Sequence, residues 1–269
     1  MAITTQDGLV SALGSAQRLI AVKANVTAVA GRMCSLWSGA GQPGVGSTTL
    51  GQAAAGVVPV DSNTGFLTFT NPVSGSSYLA GVSGVSAASG VLVIWDNLWT
   101  WGSGGSGWVV TTTTAQSTTS PAALTRPDAN GTNTEAWLEV LATMGAGAAT
   151  PVLSYTNSAG TASRTTGTMG YNSAAVIGSM YNFPLQAGDN GVKTVQSLTL
   201  SVSMTSGTAR VMILRRLATL PIVANVGFKY DAYDLGLPVV SDDAALMMSV
   251  QSSSTASGPT QVELILAQG

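Results

Sequence analysis

The side chains that most often carry out catalysis are scarce in this sequence. It contains no histidine and a single cysteine, Cys34. Without histidine, the chain lacks the base of Ser-His-Asp and Cys-His nucleophile pairs, the ligands of HExxH zinc sites and the usual proton shuttle of neutral pH. Cys34 follows Met33 and precedes Leu36 and Trp37, a setting that predicts a small buried hydrophobe and not a reactive thiol. We therefore predict that the protein is not an enzyme.

Carboxylates at close spacing are the remaining candidates for acid–base chemistry, as in glycoside hydrolysis. Residues four apart in a strand lie on the same face, so Glu135 and Glu139 would share a face, with Trp137 between them. The sequence nevertheless favours solvated strand or turn charges at every such pair, and we predict no catalytic residue. The close pairs are Glu135 with Glu139, Asp231 with Asp234, and Asp242 with Asp243.

Three segments match the sequence motifs of ligand-binding loops only in part. Residues 41–48, Gly-Gln-Pro-Gly-Val-Gly-Ser-Thr, nearly match the phosphate-binding GxxxxGK[ST] motif, but Ser47 stands where the motif places its lysine. Residues 61–65 and 128–133 gather Asp and Asn oxygens as calcium loops do, without the bidentate glutamate of an EF-hand. Asp and Asn are also ordinary turn residues. We predict turns and flexible loops here, with no cofactor and no metal ion.

A cluster of tryptophans has the composition of a binding surface. Trp99, Trp101 and Trp108 lie close in sequence, with a glycine-rich stretch over 102–107. Indole rings pack in cores, fill protein interfaces and stack on sugars. Three interpretations follow: packing within the chain, a contact with another subunit, or a glycan-binding platform. The neighbouring Trp95 ends an apolar run and is predicted to lie in the core.

The overall composition favours a folded protein whose surface is covered by neighbours. Charged residues make up 8% of the chain and hydrophobic residues 45%, with a net charge of −2. Disordered chains combine low hydrophobicity with high net charge, so this chain is predicted to fold. A surface with few charges is poorly protected against association. The sequence shows no basic stripe for nucleic acid, no membrane-spanning apolar run and no signal peptide, so we expect a protein made in the cytoplasm that binds neither nucleic acid nor membrane.

Helical spacing of apolar residues is found only near the N-terminus. We predict one short helix within residues 5–22, capped by a threonine or aspartate at its start. A Gly/Ala/Ser-rich stretch over 39–56 predicts an extended arm, because it is low in complexity and has no periodicity. Such an arm would reach a neighbouring subunit by strand addition. The residues assigned to this contact are Gly41, Pro43 and Gly46.

From Val57 onward the chain predicts β-strands. Apolar and hydroxyl residues alternate strictly over 198–204, as in a strand with one face on a core and one on solvent. A pattern of alternating strand, small-residue loop with glycine and apolar strand recurs four times, which predicts four long hairpins. They span residues 78–96, 137–157, 198–217 and 246–266.

Together these elements predict an all-β fold. The arrangement expected is an antiparallel β-sandwich, or a jelly-roll-like one, with long hairpins, the short N-terminal helix and the Gly/Ala-rich extended arm. The predicted organisation is an N-terminal helix and arm over 1–56 and one β-sandwich domain over 57–269. Turn-forming residues over 119–133 mark the place where a division into two β domains would fall.

A set of short motifs is distributed over most of the chain. They are 1–10 (MAITTQDGLV), 35–37 (SLW), 41–44 (GQPG), 94–99 (IWDNLW), 124–128 (LTRPD), 135–139 (EAWLE), 214–216 (LRR), 235–238 (LGLP) and 264–267 (LILA). With these motifs the chain resembles a group of tailed-bacteriophage virion proteins. The resemblance implies a component of the phage particle. None of the motifs is a catalytic signature, so no functional residue is carried over.

The resulting functional expectation is a structural protein of a tailed-phage virion. A capsid decoration or cement protein is favoured, one that forms a homo-oligomer, a trimer among the options, and binds the major capsid protein or other virion proteins. The alternatives are a tail, adaptor or head-fibre subunit, and a carbohydrate-binding β module for host attachment that uses the tryptophan cluster. The expected location is the virion.

Overall fold

Antiparallel strands dominate the computed structural model, which describes residues 3–24, 27–255 and 258–269. Strands hold 42% of the residues and helices 5%, so the all-β prediction is confirmed. The helices are α1 (Gln6–Gly14) and α2 (Ala232–Leu235). The strands are β1 (Gln17–Ala24), β2 (Met33–Ser35), β3 (Gly41–Gln42), β4 (Ser77–Ser86), β5 (Gly90–Gly102), β6 (Gln116–Ser117), β7 (Thr134–Ala142), β8 (Val152–Asn157), β9 (Arg164–Thr165), β10 (Ser179–Phe183), β11 (Val192–Thr199), β12 (Thr208–Ile222), β13 (Gly227–Tyr230), β14 (Val239–Val240), β15 (Leu246–Ser252) and β16 (Pro259–Gln268).

The predicted N-terminal helix is present but shorter than residues 5–22. The Thr5 side chain caps it by accepting a hydrogen bond from the Gly8 N–H at 3.0 Å. After Gly14 the chain changes to β1, which pairs with β16 along all eight residues. Ile20, which fits the helical spacing, is therefore a strand residue. The ladder supplies hydrogen-bond partners for the backbone of residues 17–24. Gly8 and Gly14 weaken the helical alternative.

The chain divides into two compact units. Unit 1 comprises Met1–Gly46, Val60–Asp96 and Leu217–Gly269, and unit 2 comprises Ser47–Pro59 and Asn97–Arg216. The chain passes between the units four times: after Gly46, after Pro59, within β5 and within β12. The predicted arm is shared by both units, and the turn-rich region 119–133 lies inside unit 2.

Unit 1 contains one sheet with the strand order β13-β4-β16-β1-β3, to which β14 adds by pairing with β4. In a second set of strands, β15 lies between β2 and the first half of β5. One apolar core draws side chains from both sets, including Leu264 of β16, Ile94 of β5 and Met248 of β15. Strand β1 alternates buried and exposed residues, with Leu19 and Ala21 in this core.

Unit 2 contains a four-stranded sheet with the order β6-β11-β8-β9. In its other set of strands, β7 lies between β10 and the first half of β12. Again one core draws on both sets, here through Leu138 of β7, Leu153 of β8, Leu198 of β11 and Ile213 of β12. Each unit thus buries side chains from two sets of strands in a single core.

The four predicted hairpins are wrong in their pairing. The strand predicted over 198–204 is also misplaced, because β11 ends at Thr199. Consecutive strands β4 and β5, β7 and β8, β11 and β12, and β15 and β16 belong to different sheets. Glycines with positive φ at these links, such as Gly90 and Gly207, let the chain turn from one sheet to the next. A small-residue loop with glycine suits both a hairpin and a change of sheet. The pattern therefore indicates most of these strands but does not select their partners.

Candidate functional site

The tryptophan cluster lies in the core of unit 2. Trp99, Trp101 and Trp108 are each at most 1% exposed. The Trp99 indole N–H donates to the Ala55 carbonyl at 3.3 Å, and that of Trp108 donates to the Trp101 carbonyl at 2.9 Å. Interface and glycan contacts both need an exposed ring face, which these three residues do not present. The structure therefore corrects those two interpretations and favours packing within the chain.

The first part of the predicted arm folds back onto unit 1. Gly41 belongs to β3 and opposes Lys23 of β1, where a Cβ atom on Gly41 would lie 1.9 Å from the Val22 carbonyl oxygen. A Cβ atom on Gly46 would lie 2.1 Å from the Trp37 ring. These glycines allow close packing of the chain on itself. Pro43 follows directly on β3 and has no N–H with which to extend the ladder.

The second part of the arm packs within unit 2. Both Gly51 and Gly56 have positive φ, and a Cβ atom on either would lie within 3 Å of Thr100 or Trp99. Segment 39–56 is therefore held by its own chain at both ends, and it is not extended along its whole length. Its contact with another subunit stays a prediction, restricted to the surface that this packing leaves free.

A buried lysine fixes the arm to β1. Lys23 is 2% exposed, and its ammonium donates to the carbonyl oxygens of Gly44 at 2.8 Å and Gly39 at 3.3 Å. Burial lowers the pKa of Lys23 from 10.5 to about 8. The same region resembles a phosphate loop in sequence, but the Gly46 N–H donates to the Trp37 carbonyl at 3.0 Å and so faces its own chain. These groups hold the loop in place.

The two carboxylates of β7, Glu135 and Glu139, bind different arginines. Glu139 is fully buried and binds Arg210 of β12, whose Nε donates to Glu139 Oε2 at 2.6 Å. Glu135 is partly exposed and lies 2.8 Å from Arg216. Each carboxylate thus has its own cation. Such an arrangement neutralises the charges and does not form a proton-sharing dyad.

The other predicted oxygen clusters stabilise turns. Asp231 caps α2 in a reciprocal capping box with Asp234. In the first candidate calcium loop, Asp61 Oδ2 accepts from the Phe69 N–H at 3.1 Å. In the second, Asn130 Oδ1 accepts from the Lys193 ammonium at 3.2 Å, so a cationic side chain already occupies that oxygen. Within the part of the chain that the structure describes, no three Cys, Asp or Glu side chains are placed to hold a metal ion.

The densest polar network of unit 2 was not predicted from the sequence. Asp189 accepts hydrogen bonds from Tyr155 Oη at 2.6 Å, Asn157 Nδ2 at 2.7 Å and Arg164 Nε at 2.9 Å. The Arg164 hydrogen bond is the main cause that lowers the pKa of Asp189 to about 2, and burial, assisted by Asp189, raises the pKa of Tyr155 to about 12. The network ties the loop before β11 to β8 and β9. These residues are 25 to 34 positions from Asp189 and form no sequence motif.

The surface feature that sequence reasoning did not locate is an exposed apolar region on unit 1. Ile20 of β1 is 64% exposed, and Val22 lies beside it on the same face. Val10 of α1, Val73 and Tyr233 are more exposed still. Ile20 and Val22 are thus neighbouring exposed apolar side chains on one face of β1. This face of β1 is therefore the candidate functional site.

Comparison with protein-family models, with curated proteins and with solved structures finds no match to this chain. Among the described residues, no helix has the length and apolar character to cross a membrane.

Proposed function

We propose that this protein is a structural subunit of a tailed-phage virion, and specifically a capsid decoration or cement protein that oligomerises and stabilises the head. The observation that carries the proposal is the exposed apolar face of β1, where Ile20 and Val22 meet solvent on a chain with only 8% charged residues. Partner proteins would cover such a surface. The choice of a tailed-phage virion as the assembly is supported by the sequence motifs that resemble virion proteins.

We further propose that each unit is a β-sandwich. Two sets of antiparallel strands share one apolar core in unit 1 and again in unit 2, as two facing sheets do. A sandwich of this kind gives a rigid body with exposed sheet edges, which an assembly subunit covers through contacts with its neighbours.

The positions of the polar groups agree with a structural role. Glu139, Asp189 and Asp231 each accept hydrogen bonds that hold a strand, a loop or a helix start in place. The buried tryptophans add core contacts and no sugar platform. The glycan-binding alternative therefore has no support at the cluster on which it was based.

The test uses the phage that encodes the protein. Washed virions are analysed by mass spectrometry, and purified protein is mixed with mature heads that lack it. We expect the chain in the virion at a copy number comparable with that of capsid subunits, and saturable binding to expanded heads. A copy number near that of a tail or neck ring would favour the tail or adaptor alternative. Absence from washed virions together with no binding to heads would refute the virion proposal.

A further inference from the structure

Two Asn-Gly dipeptides, at 130–131 and 190–191, come together in unit 2. Their glycines are in close contact, because a Cβ atom on Gly191 would lie 2.0 Å from the Gly131 carbonyl oxygen. In an Asn-Gly dipeptide the asparagine side chain reacts readily with the following backbone nitrogen, since glycine has no side chain to shield it. The same reactive sequence therefore occurs in two neighbouring settings.

The peptide that joins Asn130 to Gly131 is not held by hydrogen bonds. In the described part of the chain, neither the Asn130 carbonyl nor the Gly131 N–H has a hydrogen-bond partner. Asn130 is exposed in the turn before β7, and its own N–H donates to Asp128 Oδ1 at 2.7 Å. Gly131 is buried, and its carbonyl accepts from Thr134 Oγ1 at 2.7 Å. Rotation of Asn130 toward the fixed Gly131 nitrogen therefore breaks no hydrogen bond of the peptide between them.

The peptide that joins Asn190 to Gly191 is held on both sides. The Asn190 carbonyl accepts from the Asn133 N–H at 2.8 Å, and the Gly191 carbonyl accepts from the Ser158 N–H at 3.1 Å. The side-chain oxygen of Asn190 is also hydrogen-bonded to Ser158 Oγ. The same rotation at this site would break such bonds, and the cost of leaving the groups unpaired raises the barrier.

A cationic donor lies against the side chain of Asn130. The Lys193 ammonium donates to Asn130 Oδ1 at 3.2 Å. When a nucleophile adds to the amide carbon Cγ, negative charge develops on this oxygen, and a cation at hydrogen-bond distance stabilises it. At Asn190 the corresponding contact is the neutral hydroxyl of Ser158. Asn130 thus combines an unrestrained peptide with a polarised side-chain carbonyl.

We propose that Asn130 is a site of spontaneous deamidation through a cyclic imide, and that Lys193 promotes the reaction. The Gly131 nitrogen gives up its proton to solvent and attacks Cγ of Asn130. The side-chain nitrogen takes up a proton from solvent and leaves as ammonia when its bond to Cγ breaks, so that a succinimide remains. Water then opens the ring at Cγ to give aspartate, or at the backbone carbon to give isoaspartate. The reaction does not depend on the proposed virion function.

The modification changes both charge and backbone at this turn. Either product places a carboxylate beside the Lys193 ammonium, so the protein gains one negative charge and a neutral contact becomes an ion pair. Isoaspartate also adds a methylene group to the backbone before Gly131. Packing fixes that glycine, because a Cβ atom on it would lie 2.1 Å from the Val192 carbonyl oxygen. The turn before β7 must therefore change shape in the isoaspartate form.

Incubation of the folded, full-length protein at mildly alkaline pH tests the site. Mass spectrometry follows the replacement of each side-chain amide by a carboxylate, and trypsin places the two asparagines on different peptides by cleavage after Arg164. We expect Asn130 to react at least about tenfold faster than Asn190. In concentrated urea neither peptide is held, so the two rates should become similar. The proposal is overturned if the folded chain deamidates at both sites equally, or if Asn130 reacts only in urea.

Substitutions test the part played by the lysine. In Lys193→Met, Asn130 should react roughly three- to tenfold more slowly, while the rate at Asn190 stays the same. Lys229→Met changes an exposed lysine of unit 1 and is the matched control, for which both rates should equal those of the wild type. Circular dichroism verifies that each variant is folded. An unchanged rate at Asn130 in Lys193→Met would refute the role of the ammonium. A covalent link between Lys193 and Asn130, formed with loss of ammonia and no uptake of water, would make the lysine the nucleophile and overturn the proposal.

Discussion

The two units of this protein share a plan of strand connections but differ in what lies at their surfaces and in their cores. In unit 1, β4 leads to β5 and β15 to β16, and the four strands pair as β4 with β16 and β5 with β15. In unit 2, β11 leads to β12 and β7 to β8, with β11 paired to β8 and β12 to β7. Each unit is therefore built from two sheet-changing segments that run antiparallel to each other.

The difference lies in how polar groups are used. Unit 2 contains a fully buried ion pair between Arg210 and Glu139, and the Asp189 network, in both of which side chains bind side chains. In the described part of unit 1, the buried ammonium of Lys23 is held by backbone carbonyls, and Ile20 of β1 is exposed. In unit 2 these polar side chains therefore bind one another, whereas in unit 1 the buried Lys23 is held by backbone carbonyls.

The largest expected effect tests the buried ion pair of unit 2. In Arg210→Met, the Glu139 carboxylate is left buried without its cation, so we expect a loss of about 3–5 kcal/mol in the free energy of unfolding. The matched control is Arg216→Met, which breaks the more exposed pair with Glu135 and should change stability by only about 0–1 kcal/mol. Urea denaturation measures both.

A double variant completes this test. Glu139→Met combined with Arg210→Met removes both charges and should recover most of the lost stability, because a buried pair is easily replaced by apolar groups of similar volume. Equal effects of the Arg210 and Arg216 variants would contradict the view that buried polar pairs hold unit 2 together.

The sequence made the strands predictable but not their partners. The apolar runs of β5 and β12 are local signals, and each corresponds to a strand. The alternation over 198–204 misled the prediction, because β11 ends at Thr199 and residues 200–204 form no strand. Pairing depends on residues that are far apart, as in β4 with β16, and no local pattern encodes it. In β1, Arg18, Ile20 and Val22 lie on one face and Leu19, Ala21 and Lys23 on the other. Both faces carry apolar residues and one cation, so alternation alone does not identify the face that is buried.

The candidate site was missed for a related reason. A glycine-rich segment predicts an arm because its composition lacks periodicity, but the same glycines are needed where two parts of the chain come very close, as Gly46 does at Trp37. The tryptophans were assigned three roles because an indole serves each of them equally well. The exposed apolar face of β1 depends on which side of the strand is buried, which only the folded arrangement defines.

A substitution of intermediate expected effect tests whether the first part of the predicted arm packs tightly on unit 1. In Gly46→Ala, the new methyl group would lie 2.1 Å from the Trp37 ring, so the ring or the backbone must move. We expect a loss of about 1–3 kcal/mol, the usual range for overpacking. Gly44→Ala is a close control two residues away, because its Cβ atom would meet nothing within 4 Å. Thermal unfolding measures both, and an arm without intrachain packing would tolerate the two changes equally.

The smallest expected effect is a pH dependence confined to unit 1. The pKa of Lys23 is about 8 in the folded chain and 10.5 in the unfolded one, because burial disfavours the ammonium form. Between these values the unfolded chain binds one proton more than the folded chain, so the free energy of unfolding rises with pH over this window. Below pH 8 both states are protonated and the desolvation cost of the charge is present in full.

In Lys23→Met this dependence disappears. The difference in the free energy of unfolding between the wild type and the variant isolates Lys23, because all other titrating groups are common to both proteins. We expect the stability of the wild type relative to Lys23→Met to increase by roughly 1–2 kcal/mol as the pH rises from 7 to 11, since one pKa unit corresponds to about 1.4 kcal/mol and relaxation reduces the full value. Urea denaturation of both proteins at each pH gives the difference directly. A difference that is constant with pH would mean that the Gly39 and Gly44 carbonyls compensate the ammonium fully for lost water. In that case unit 1 would hold its buried charge as effectively as unit 2 holds Arg210, and the contrast between the two units would be limited to their surfaces.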